Sequence, residues 1–373
     1  MQRSNRLWSS IAFCISVMTA PAIAHAQRPV EYRGLSAVDD NVAWASGSGG
    51  RYARSANGGQ TWQLDSVPGA GTLFLVDVHA RDAQVAWMLG TDFNGGYSAI
   101  YHTRDGGRSW SKQYEKRHAQ VFLDGIAFWD DKTGVAFGDP VDGVFHIVRT
   151  EDGGATWTDV PSANIPAPLA GEAAFAASGT NITVLASGHA WFVTGGGPNA
   201  RVFHSRDRGR TWNAYTTPLP GASTAGLFGI AMRDTLNGVA VGGDYEKRTE
   251  SQRNVVQTRD GGRTWTLVGS SNPAGVRYGV AYSRGARSAV IATGPSGYGV
   301  SFDEGATWSA VDSAGYNTVA TSPGRIWLAG TLGRVTSRTP DQLPVRPTDS
   351  PARNRDSGSA VQHAGDRVRL DRR

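Results

Sequence analysis

The chain has 373 residues, long enough for two average domains or one large all-β domain, and only 18% of them are charged against a usual ~25%. Its 48 glycines and 12 tryptophans point to many tight turns, each followed by a packed aromatic. Of the net charge of +5, two charges lie in residues 1–26 and two in residues 341–373, so the body carries about +1 and lacks the electrostatic footprint of a nucleic-acid binder.

The chain begins with Arg3 and Arg6, continues with a mostly apolar run over residues 7–20, and reaches Ala24-His25-Ala26. That order predicts a signal peptide over residues 1–26, cut before Gln27, and a periplasmic or secreted protein that does not span a membrane after cleavage. The only cysteine, Cys14, lies inside the leader, so the mature chain is expected to use neither disulfides nor thiol chemistry.

From residue 55 one short pattern returns six times, at residues 55–62, 103–110, 150–157, 205–212, 258–265 and 301–308. Each copy reads Ser/Thr-x-Asp/Asn-x-Gly-x-Ser/Thr-Trp. The third positions are Asn57, Asp105, Asp152, Asp207, Asp260 and Asp303, and the last are Trp62, Trp110, Trp157, Trp212, Trp265 and Trp308. The tryptophans are 48, 47, 55, 53 and 43 residues apart, the period of a four-stranded propeller blade. The carboxylate accepts hydrogen bonds from N–H groups downstream and locks the turn. Gly at the fifth position admits a positive φ, and Trp anchors the next strand. Asn57 keeps the acceptor oxygen without the charge, so its turn is expected to survive.

Strands alternate around each box. In the third repeat, residues 122–129, 134–138, 145–150 and 156–160 read as strands A to D. The B strands of the other boxed repeats fall at 41–45, 85–89, 190–194, 238–241 and 288–292. After the last box, residues 316–322, 325–330 and 334–338 give a seventh blade without its outer strand. Residues 28–32 are expected to supply that strand and close the ring, with 343–346 as the competitor. No stretch after residue 27 keeps a helical period, so the fold class is all-β: one propeller over residues 27–340, with seven blades favoured over six. Residues 341–373 are Pro, Arg, Asp and Ser with few apolar residues, and are expected to be a disordered tail.

The six boxes resemble the bacterial neuraminidase (BNR) repeat, or Asp-box, superfamily. Their spacing, the leader and the Asp-Gly-Gly-x-Thr-Trp form look most similar to the photosystem II assembly and stability factor group. That resemblance implies a seven-bladed, non-catalytic propeller that holds a membrane-protein partner during assembly. It implies an architecture rather than photosynthesis. Sialidases, the enzymatic branch, carry an Arg-Ile-Pro motif before the first blade, where this chain has Arg28-Pro29-Val30. The expectation is therefore a protein-binding scaffold, with a sialidase-like glycoside hydrolase or a carbohydrate-binding propeller as the alternatives.

In a propeller the C–D turns lie on one face, and the D–A and B–C loops surround the channel mouth on the other. The box carboxylates are accordingly read as structural. The neighbouring Arg104, Arg108, Arg206, Arg210, Arg259 and Arg263 are read as solvated, or as a basic docking patch. At the mouth the sequence places Asp92, Asp124, Asp139, Glu172, Asp244 and Tyr245 as ligand-binding residues, with Asp139, Glu172, Asp244 and Tyr245 as the catalytic candidates should the chain be an enzyme. Each carboxylate would equally suit capping its own loop, or together they would suit a calcium ion. No cofactor or metal is otherwise expected. The partner is a protein or a glycan, and the chain is read as a monomer.

Overall fold

The computed structural model describes residues 29–250, 254–268, 274–283 and 288–344. The expected leader and nearly all of the expected tail lie outside them. The described residues form seven antiparallel meanders at residues 32–66, 74–116, 123–159, 182–220, 225–267, 279–312 and 318–338. Six have four strands and the seventh has three. They are the blades of one all-β propeller, and among the described residues the only helical segments are the single turns Ser162–Asn164 and Pro340–Gln342.

Blade three shows how far sequence and structure agree. Its strands are Leu123–Phe128, Gly134–Val141, Val144–Thr150 and Thr158–Asp159. The inner strands are apolar on both faces because each blade packs face to face on its neighbours. The outer strand touches a neighbour least, so Thr158–Asp159 and Gln63–Ser66 are exposed. Between blades three and four the seam is aromatic: Phe137 stacks on Phe192 at 4.4 Å, and Phe192 stacks on Phe203 at 4.5 Å.

Ring closure differs from the expectation. Of the residues 28–32 expected there, the described ones, 29–32, do not become the outer strand of blade seven. Tyr32 instead opens the inner strand of blade one, Tyr32–Ala37, because Tyr32 and Leu35 are needed in the core shared with Trp327 and Ala329 of blade seven. The seam is sewn from both sides. Tyr32 N–H donates to Gly330 O at 3.0 Å, and Asp40 Oδ1 accepts from Ser322 Oγ and Gly324 N, both at 2.7 Å. Trp62 meets Trp327 edge to face at 5.8 Å. Leu343, the competitor for the outer place, follows the turn Pro340–Gln342 and packs into the core between blades six and seven.

Candidate functional site

The box turns fix the face on which no chemistry is expected. In the third box Thr150 Oγ1 donates to Asp152 Oδ1 at 2.8 Å and accepts from Gly154 N at 2.8 Å. Thr156 donates its N–H to Asp152 Oδ1 at 2.9 Å and its hydroxyl to Oδ2 at 2.6 Å. The boxes at Asp105, Asp207, Asp260 and Asp303 repeat these bonds. In the first box Asn57 Oδ1 accepts from Thr61 N at 3.0 Å, while Asn57 Nδ2 donates to Thr61 Oγ1 at 2.9 Å. The turn survives with one hydrogen bond reversed. Hydrogen bonds from the Ser109 hydroxyl and N–H hold the Asp105 carboxyl down at about 2. The fifth-position glycines have the expected positive φ, 90° at Gly107 and 88° at Gly154. The fourth position is left-handed as well, at Arg208 and Glu304 where no glycine stands. Those two side chains reach ion-pair partners instead, Arg208 to Asp130 at 2.6 Å and Glu304 to Arg233. Of the arginines beside the boxes, Arg210 pairs with Glu151 at 2.6 Å and Arg108 donates to Asp105 O at 2.9 Å.

The central channel is crossed by chain. Residues 173–181, just ahead of the short inner strand Ile182–Val184, lie across it and bond to blades one, three, five and six. Arg33 Nη1 donates to Ala176 O at 2.9 Å, and Gly179 N to Arg33 O at 2.9 Å. Ser178 Oγ donates to Tyr278 O at 2.9 Å, Ile230 N to Thr180 O at 2.8 Å, and Asn181 Nδ2 to Asp124 O at 3.0 Å. Gly179 is required there, since a methyl group would collide with the Asp77 carboxylate. Asp77 is itself buried in the inner strand of blade two. It accepts from Val78 N at 2.8 Å and from Ile126 N of blade three at 2.9 Å, and burial pushes its carboxyl up to about 8.

Above this floor, on the D–A and B–C loop side, lies a cavity of about 630 Å³. Its aromatic wall is Phe93, Phe122, Phe175, Phe228, Tyr245 and Tyr278, and its charged groups are Glu31, Arg33, Asp124, Asp139 and Arg248. Arg33 is clamped by Glu31 at 2.9 Å, with its guanidinium 4.8 Å from the Phe74 ring centre and 5.1 Å from that of Phe93. Asp139 accepts from Ala174 N of the floor at 2.8 Å, and burial lifts its carboxyl to about 6. Asp124 is 1% exposed and neither carboxylate oxygen makes a hydrogen bond. Burial first, and then the neighbouring charge of Asp139, push Asp124 well above the ordinary carboxylate range, while the nearby N–H groups of Asp139 and Ala176 moderate the shift.

Three of the six residues expected at the mouth therefore line one cavity: Asp124, Asp139 and Tyr245. The other three do not line it. Glu172 is buried beneath Arg201, accepting from Arg201 Nε at 2.8 Å, Thr194 Oγ1 at 2.6 Å and Leu169 N at 2.8 Å. Asp244 caps its own loop through Glu246 N at 3.0 Å. Asp92 caps Asn94 at 2.9 Å and lines a separate groove between blades one and two. Sequence reasoning missed Arg33, Arg248 and the aromatic wall apart from Tyr245. Arg33 is obscured in the sequence because its neighbours read as a closing strand, and the aromatics stand beside the strand ends. Among the described residues no group of three or more His, Cys, Asp or Glu is placed to hold a metal ion. No described helix is long and apolar enough to cross a membrane.

These features define a seven-bladed β-propeller with a floored channel and an aromatic, acid-bottomed mouth. The chain is similar in fold to a solved structure of YCF48 bound to a D1 peptide, with 17% identity, a TM-score of 0.60, and coverage of 84% of this chain and 93% of that one. It is likewise similar to YCF48 from Cyanidioschyzon merolae, at 15% identity and TM-score 0.59 over 84% of this chain and 97% of that one. An ancestral GH74 enzyme gives 12% identity and TM-score 0.58, over 84% of this chain and 46% of that one. At these identities the likeness is one of fold. No family model and no curated protein matches the chain.

Proposed function

We propose that the chain is an exported, non-catalytic scaffold whose channel mouth binds a segment of a protein partner during assembly of an envelope complex. The mouth cavity carries this reading. At about 630 Å³ it is the size of a site for a few side chains, and it is walled by aromatics on rigid blades. The solved YCF48 ring bound to a D1 peptide, which is similar over most of both chains, supports a peptide as the kind of ligand such a ring holds. The basic and apolar start of the sequence supports export, and the box repeats support membership of the Asp-box superfamily.

One observation favours a second reading, a sialidase-type glycoside hydrolase. Asp139 is lifted to about 6, near the range of a general acid, and a second buried carboxyl lies beside it. Against that reading, Glu172 is fully engaged by Arg201, and Asp244 is turned into its own loop. The test is a panel of fluorogenic sialosides and polysaccharides, set beside an array of envelope-protein peptides, with the mature chain and Asp139→Asn. Peptide capture without turnover supports the scaffold. Turnover abolished by Asp139→Asn replaces it with the hydrolase.

A further inference from the structure

The bottom of the mouth holds negative charge that the protein itself does not neutralise. Asp124 is buried with both oxygens free of hydrogen bonds, and Asp139 has one oxygen on Ala174 N and none on the other. Of the two cations on the wall, Arg33 is already clamped by Glu31 and Ala176 O. Arg248 donates to Tyr245 O at 3.2 Å. Burial is the main cause of the upward shift of both carboxyls. The same cavity is lined by six aromatic rings, whose faces attract cations through their quadrupoles.

We propose that the mouth is a receptor for an organic cation, the ammonium of a lysine side chain on the bound segment, held between the aromatic wall and the Asp139–Asp124 pair. This rests on the mouth being the segment-binding site. A hard metal ion is the poorer fit, since calcium requires six to eight oxygen ligands and rings supply none. Asp139 is half-buried and meets the ammonium directly, and Asp124 beneath it adds potential. Below about 6 the free protein keeps Asp139 protonated, and binding there must break the Asp139 O–H bond and release the proton to solvent; above it Asp139 is already a carboxylate and pairs with the ammonium directly. Affinity therefore rises with pH through about 6. The other groups facing the pair are Glu31, Arg33, Tyr245, Arg248 and Tyr278 on the wall, and Asp77 across the floor, which titrates higher.

The experiment measures calorimetric binding of N-acetyl-lysine-N-methylamide and of its norleucine counterpart to the mature chain at pH 5 and pH 8. Lysine is expected to bind roughly tenfold tighter than norleucine at pH 8, by the cation–π and charge terms together. The ratio should collapse at pH 5, and at pH 8 in Asp139→Asn and Asp124→Asn. Circular dichroism confirms that each variant is folded; should Asp124→Asn fail to fold, the half-buried Asp139 carries the test. Equal binding of the two probes at pH 8 overturns the cation and leaves the segment site standing, as does binding of neither when the peptide array still captures segments. Glycoside turnover overturns the segment reading itself.

Discussion

The indole Nε1 of Trp191, on the second strand of blade four, donates at 2.9 Å to the carbonyl oxygen of Gly261 in the box turn of blade five. Trp87 makes the same bond from blade two to Gly153 of blade three, at 3.1 Å. The box turns are thus held from next door as well as from within. Replacing Trp191 by Phe keeps most of the packed ring and deletes the donor. It should cost about 1–3 kcal/mol, the usual penalty for leaving a buried acceptor unmet, and Trp87→Phe should match it. Urea unfolding of both variants reads this directly, and unchanged midpoints would show that the bonds are incidental.

The first box already contains an experiment on the carboxylate. Asn57 keeps its turn by reversing one hydrogen bond to Thr61. Asp260→Asn in the fifth box should therefore cost less than about 1 kcal/mol, and Asp260→Ala about 1–2 kcal/mol, as for a lost capping side chain. Equal losses in thermal melts would mean that charge, not acceptor geometry, secures the turn.

Glu172 and Arg201 form a buried pair, with the Glu172 side chain wholly shielded from solvent. Glu172→Ala should lose about 3–5 kcal/mol, because it leaves Arg201 buried and unpaired. A double-mutant cycle with Arg201→Met should recover much of that loss. Glycoside turnover is not expected to depend on Glu172, so a catalytic defect without a stability defect would contradict a purely structural role for the pair.

Stability should respond to pH in two opposed ways. Burial holds His79, His102 and His146 down at about 4 and His204 at about 3. The unfolded chain, titrating near 6.5, binds more protons below that pH, so the stability these residues lend is lost as pH falls from 6.5 towards 4. Asp77 works the other way. Its folded carboxyl titrates at about 8 against 3.8 ordinarily, so its contribution is whole below 3.8 and is lost as pH rises through 8. His204→Gln should flatten the acid limb, and Asp77→Asn the limb between pH 4 and 8, in urea midpoints taken across pH 4–9.

The blades were legible in the sequence because a box needs specific residue types in a fixed order, and that order recurs at blade length. Trp62 to Trp308 mark six C–D turns without any knowledge of tertiary packing. Closure was less legible. Residues 28–32 are extended on either assignment, and only the shared core of Tyr32, Leu35 and Trp327 decides for the inner strand. The mouth was half legible for a related reason. Asp124, Asp139 and Tyr245 follow from blade register, but Glu172 is removed from the site by Arg201, which lies 29 residues further on. Nor could the sequence show that residues 173–181 leave the blade path to cross the axis, since Gly, Ala and Ser in a row read as an ordinary loop.

That crossing makes the ring a cul-de-sac. Whatever enters the mouth must back out by the same door, and a long polymer cannot be threaded through and released behind. Molecules arriving on the box-bearing side meet a separate surface, so the two faces can hold different companions at once without competing for one tunnel.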